Sequence, residues 1–156
     1  MLNLYNLELD KARNVRLCRE KGIDYNTENI NTPKAVVRML EDCFHLSSKA
    51  EEYVYVICTR ACGTVMGIFE LSHGSFDASY VGARELFTKV LLLGSHSFIV
   101  AHNHPGGSII PSCSDINVCR KIWQGAKLLD IEMNDFLIIG NGYTSFKERG
   151  LLEGGA

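Results

Sequence analysis

Apolar residues recur along this chain with two different periods, and the switches between them mark its elements. Over Tyr53–Cys58 and Thr64–Leu71, β-branched and aromatic residues dominate, which predicts two strands. Ala61-Cys62-Gly63 between them reads as a turn, so the pair forms a hairpin. Ser75–Tyr80 reads as a short third strand. From Gly82 to Leu93 the apolar spacing becomes helical, through Leu86, Phe87, Val90 and Leu93, with Gly94 as the cap. Phe98–His102 is a short apolar run, the mark of a buried strand. Ser112–Leu129 predicts a long helix, and Ile131–Ile139 a further strand that ends at the Gly140-Asn141-Gly142 turn. Tyr143–Phe146 returns, and Glu148–Leu151 closes the chain. Strands interleaved with helices predict an α/β sandwich around a curved mixed sheet.

The first 50 residues read differently. Asp10–Lys21 has a helical pattern, with Val15, Leu17 and Cys18 as an imperfect stripe and Gly22 as the stop. Ile23–Asn31 is polar and irregular. Thr32 then suits an N-cap with Pro33 at the first helical position, and Val36, Val37, Leu40 and Phe44 share one face. Residues 1–50 are therefore expected to form a helical extension packed on a domain at 51–156, and they carry no evident chemistry.

Composition narrows the function classes. At 156 residues the chain is one domain with a sizeable core. Its formal net charge of −2 offers no broad basic face, so strong nucleic-acid binding is not expected. No apolar stretch reaches the roughly 18 residues that span a bilayer, and the N-terminus lacks the basic and apolar regions of a signal peptide. A cytoplasmic protein without a membrane partner is the expectation. Six cysteines are present without a C-x-x-C pair, and with no export signal they read as free thiols.

The chemistry concentrates in Ala101–Asp115, A-H-N-H-P-G-G-S-I-I-P-S-C-S-D. His102 and His104 stand two apart at a strand end, where alternate side chains share a face, so two imidazoles aim at one point. Asp115 follows at a helix start. Two imidazoles and a carboxylate form a common ligand set for a catalytic zinc with an open fourth position. Ser112 and Asp115 also have the spacing of a helix N-cap and its N3 partner, although Glu or Gln is the usual residue at N3. Capping and ligation are compatible, and spacing alone does not separate them.

H-x-H-P, six residues and then S-x-x-D resemble the JAMM (JAB/MPN) metalloprotein signature, at His102, His104, Pro105, Ser112 and Asp115. The likeness is closest to the RadC-type JAB proteins. It rests on F-D-A-S at Phe76–Ser79, A-R-E at Ala83–Glu85, A-H-N-H-P at Ala101–Pro105, K-L-L at Lys127–Leu129, L-I-I-G at Leu137–Gly140 and S-F-K-E-R-G at Ser145–Gly150. These motifs run in order from about Glu51 to Leu152. The chain departs from the family at Ser108-Ile109-Ile110, where Asp-Pro-Thr is usual, and shows no helix-hairpin-helix region before the domain.

The resemblance implies a three-layer α/β/α, cytidine-deaminase-like fold and one zinc ion per chain. It implies a catalytic Glu just before a strand, which favours Glu52 over Glu51 as the base, with Glu70 a third candidate. It also turns Ser112 toward a role in stabilising an oxyanion. His73 and His96 read as structural or surface residues, and His45 as a charge partner for a helix end.

The reaction expected is hydrolysis of a peptide or isopeptide bond, with a peptide or protein as partner. The alternative is a role on or near nucleic acid, following the family's association with DNA repair and recombination. An HNH nuclease does not fit, because its histidines and asparagine are spread over a ββα unit. A deaminase needs H-x-E and P-C-x-x-C, and neither is present. A non-catalytic module that has lost its metal ranks low, since every ligand position is filled.

Overall fold

The computed structural model describes residues 1–28, 30–74 and 81–153. In chain order, β1 is Leu2–Leu9, β2 Val15–Ile23, α1 Pro33–Phe44, β3 Glu52–Thr59 and β4 Val65–Gly74. They are followed by α2 Ala83–Leu92, β5 Ser97–Asn103, α3 Cys113–Leu128, β6 Glu132–Gly140 and β7 Gly142–Ser145. A 3-10 turn at Leu46–Ser48 follows α1. The strands join in a single seven-stranded sheet, ordered β2-β1-β4-β3-β5-β6-β7.

Every residue of β5 is buried. It pairs antiparallel with β3 and parallel with β6, so its backbone is satisfied on both edges. Apolar side chains cover both faces of this central strand. On one side Phe98 and Val100 pack with Val54, Val56, Leu86 and Ile122, beneath α2 and α3. On the other, Ile99 and Ala101 pack with Met39, Leu40, Tyr55 and Leu137, beneath α1. This is the expected three-layer α/β/α arrangement, and the sheet is mixed because β1–β4 and β5–β6 are parallel.

The helix starts follow their sequence signals. Thr32 accepts a hydrogen bond from the Ala35 amide and Pro33 opens α1. Gly94 takes a left-handed conformation just after α2, which lets the chain turn into β5 without a Cβ penalty.

The helix expected over Asp10–Lys21 is not there. Those residues form a turn and β2, which pairs antiparallel with β1 from Leu2↔Ile23 to Leu9↔Val15. Asp10 organises the turn, its Oδ1 accepting from the amides of Ala12 and Asn14 at 2.8 and 2.9 Å. Arg13 there has φ 68°. Leu17 sits opposite Leu7, and Val15 opposite Leu9, so the period that matters is two. An imperfect helical stripe loses to a partner strand that supplies a full set of backbone hydrogen bonds. Among the described residues, 1–50 thus contribute two strands to the central sheet, and α-helix only over Pro33–Phe44. The strand expected at Ser75–Tyr80, and the F-D-A-S motif within it, lie outside the described residues.

Ile122, fully buried, anchors α3 on the sheet. Ile122→Ala should destabilise the protein by about 2–5 kcal/mol, through lost burial and the cavity it leaves. Urea denaturation of the two proteins measures the difference.

Candidate metal centre

His102 belongs to β5, and His104 follows one residue after its end. Their Nε2 atoms lie 3.0 Å apart. Asp115, in the first turn of α3, meets both: Oδ1 is 3.0 Å from His102 Nε2 and Oδ2 is 3.4 Å from His104 Nε2. His102 and Asp115 are fully buried, and the His104 side chain is 15% exposed, so the cluster opens to solvent on the His104 side.

Asp115 is placed by a capping box. Ser112 Oγ accepts from the Asp115 amide at 3.1 Å, and Asp115 Oδ2 accepts from the Ser112 amide at 2.7 Å. Cap and cluster therefore use the same carboxylate. One oxygen, Oδ2, starts the helix, and the other, Oδ1, faces His102 Nε2.

His104 is placed from β6. Its amide donates to the Ile139 carbonyl at 2.8 Å, and the Asn141 amide donates to the Gly107 carbonyl at 2.8 Å. This loop crosses so close to Gly140 that a Cβ there would stand 2.5 Å from the Gly107 oxygen. Only glycine permits that approach. Thr144 Oγ1 pins the far end of the loop by donating to the Ile109 carbonyl at 2.6 Å. His104 Nδ1 is 3.0 Å from the Ser108 carbonyl, an acceptor only, so Nδ1 carries the proton. His104 Nε2 then presents a lone pair to the cluster.

That tautomer makes the cluster a fit for a cation. His104 Nε2 and two carboxylate oxygens are all electron-rich. A proton on His102 Nε2 serves one neighbour at a time, whereas a metal ion serves all three side chains. Ligand atoms from the three lie within 4.8 Å of one another. Ligands about 2.0–2.2 Å from a tetrahedral zinc would stand roughly 3.3–3.6 Å apart, close to the contacts found here. The chain thus holds a preformed His-His-Asp group able to bind a metal ion, with the Ser108 carbonyl orienting one ligand from behind.

A RadC-like JAB domain profile matches residues 30–151. The chain belongs to the RadC-like JAB family. It is 35% identical over 129 residues to a UPF0758 protein of Clostridium acetobutylicum, which covers 82% of this chain and 56% of that one. It is 40% identical over 124 residues to a UPF0758 protein of Symbiobacterium thermophilum, covering 78% and 52%. A UPF0758 protein of Chloroflexus aurantiacus is 32% identical over 158 residues, covering 97% of this chain and 68% of its own. The chain spans about half the length of the first two relatives. Among the described residues, no helix is long and apolar enough to cross a membrane.

Within this JAB domain the other sequence candidates separate cleanly. Glu52 opens β3, two residues before Val54, which lies opposite His102. Alternation puts Glu52 on the face of Val54 and His102, and the antiparallel register brings it beside His104. Its Oε2 is buried. Glu51 precedes the strand and is exposed. Glu70 is opposite Tyr55 on β4, with Oε1 2.7 Å from His73 Nδ1 and Oε2 3.5 Å from the Tyr55 hydroxyl. Tyr55 belongs to the core beneath α1, so Glu70 is not brought to the cluster. Ser112 is exposed beside it. His73 stacks on Tyr53, His96 joins β3 to β6 through its backbone, and His45 caps α1 with φ 50°. All six cysteines are free thiols, with Cys58 and Cys119 buried.

Two contributions have no signal in the JAMM pattern itself. Ser108 acts through its carbonyl, which any residue supplies. Gly140 acts by lacking a Cβ, and the L-I-I-G run marks it only as a turn.

Burial pushes the His102 imidazole below its ordinary value of 6.5, although Asp115 pulls the other way. Burial raises the Asp115 carboxyl, but His102 and the Ser112 cap outweigh it and hold the group below 3.8. Both folded-state values are thus depressed. Each contributes stability that is complete above its unfolded value and lost as pH falls through the folded one. The metal-free protein should therefore weaken as pH drops below about 6.5, and further below the ordinary Asp range; thermal melts in chelator across pH 3–8 read this directly. Gly140→Ala should push the His104 loop aside and weaken metal affinity by about 10- to 100-fold with the fold kept. Competitive titration with a zinc chelator measures it.

Proposed function

We propose that this domain is a zinc-dependent hydrolase of peptide or isopeptide bonds. The observation that carries the reading is the convergence of His102, His104 and Asp115 in a buried cluster with one side open, and with Glu52 on the same face. His102, His104 and Asp115 would hold the zinc ion, which would supply a water of lowered pKa and polarise the substrate carbonyl.

The chain's own residues do the rest. Glu52 accepts the proton of the attacking water and returns it to the leaving amine as the C–N bond breaks. Ser112 Oγ already accepts a hydrogen bond from the Asp115 amide, so its own proton is free to donate. It supports the carbonyl oxygen as that atom gains negative charge. His104 Nδ1–H, committed to Ser108, keeps the ring from turning. The net charge of −2 favours a peptide over a polynucleotide as the partner.

Glu52→Gln should bind zinc with near-wild-type affinity and lose hydrolysis by about 100-fold or more. Glu51→Gln should behave as wild type, and His104→Ala should lose stoichiometric zinc. The measurements are elemental analysis and cleavage of a panel of fluorogenic peptides and isopeptide-linked conjugates. Zinc-dependent cleavage of DNA with no cleavage of any peptide bond would replace this reading.

A further inference from the structure

The β3–β5 ladder stops one step short of the metal centre. Its last pair is Val54 opposite His102, and β3 extends two residues beyond. In an antiparallel strand, alternate residues turn their N–H and C=O toward the same neighbour. Beyond Val54, β3 therefore turns the Tyr53 N–H and the Glu51 carbonyl toward β5. One side chain takes both. Asn103 Oδ1 accepts from the Tyr53 amide at 2.7 Å, and Asn103 Nδ2 donates to the Glu51 carbonyl at 3.0 Å. Asn103 is fully buried. Its carboxamide stands where the ladder's next peptide group would be.

These bonds hold the two peptide groups that flank the Cα of Glu52. With both planes fixed, φ and ψ of Glu52 are fixed, and so is the direction of its Cα–Cβ bond. Asn103 itself lies between His102 and His104 in the chain, and its side chain is engaged with the β3 backbone. Any shift of the segment that carries the two histidines is transmitted to the backbone of Glu52.

We infer that Asn103 is a positioning residue, which sets Glu52 relative to the metal centre by clamping the Glu51–Tyr53 backbone. The inference rests on the proposed role of Glu52. It assigns the middle residue of H-N-H a task that neither ligation nor core packing requires.

Cobalt(II)-loaded full-length chains test it, with visible absorption followed across pH. The proteins are wild type, Glu52→Gln, Asn103→Ala and Asn103→Ser, whose side chain is too short to reach both groups. Met39→Ala, a core variant beneath α1, controls for general loss of stability. All should bind one cobalt ion. Glu52→Gln should displace the spectral pH midpoint, Asn103→Ala should displace it in the same direction by a comparable amount, and Met39→Ala should leave it in place. Hydrogen exchange at the Tyr53 amide should accelerate in Asn103→Ala. If Glu52→Gln moves the midpoint and the Asn103 variants do not, the clamp is wrong and the role of Glu52 stands. If Glu52→Gln leaves it unmoved, both fall. Should Asn103→Ala fail to fold, Asn103→Ser decides by the same comparison.

Discussion

The molecule depends on β5 being enclosed on all four sides. A strand hydrogen-bonded on both edges and covered on both faces cannot slide by one residue without turning every side chain to the wrong face. Its register is therefore set by the whole core, by Phe98 and Val100 on one side and Ile99 and Ala101 on the other. His102 inherits that precision as the continuation of the Phe98–Val100 face. The His-His-Asp cluster is in effect the end of the hydrophobic core, where apolar side chains give way to imidazole.

The cluster's carboxylate comes from a helix start, and its placement follows the same economy. α3 lies on the sheet through Ile122 and Val118, so its first turn is aimed before Asp115 engages any partner. The capping box then fixes the carboxylate without a further element. Neither the strand nor the helix is strained at the point of contact. The His104 loop passes closely over Gly140, where backbone meets backbone and a missing Cβ makes room.

What could be read in the sequence divides along the same physical line. His102, His104 and Asp115 were legible because each obeys a local rule: alternation for the histidines and cap spacing for the acid. The strands β3, β4 and β5 and the helices α1 and α3 were legible for the same reason, since their periods are strong and their caps local. The β1–β2 hairpin was not. Val15, Leu17 and Cys18 show no clean period, and what makes them a strand is pairing with Leu9, Leu7 and Asn6, a contact that local pattern does not encode. The Ser108 carbonyl and the Asn103 clamp were invisible for a related reason. One is a backbone group, and the other contacts backbone about fifty residues away. Which of Glu51 and Glu52 faces the cluster turns on a register of one residue, which becomes defined only once Val54 is seen opposite His102.

The cluster also constrains the fold that holds it. A buried carboxylate beside two imidazoles is costly to desolvate, and the attraction of Asp115 for a neutral His102 only partly offsets that cost. A divalent cation held by these residues would reverse the balance by neutralising Asp115 and engaging both imidazoles. Binding of that kind favours the folded state over the unfolded chain, which presents no preformed site. The same three residues therefore make the apo protein sensitive to acid, and would make a bound metal ion a stabilising ligand. Enclosure of β5 sets His102, and the hydrogen bond from the His104 amide to the Ile139 carbonyl sets the loop residue that follows.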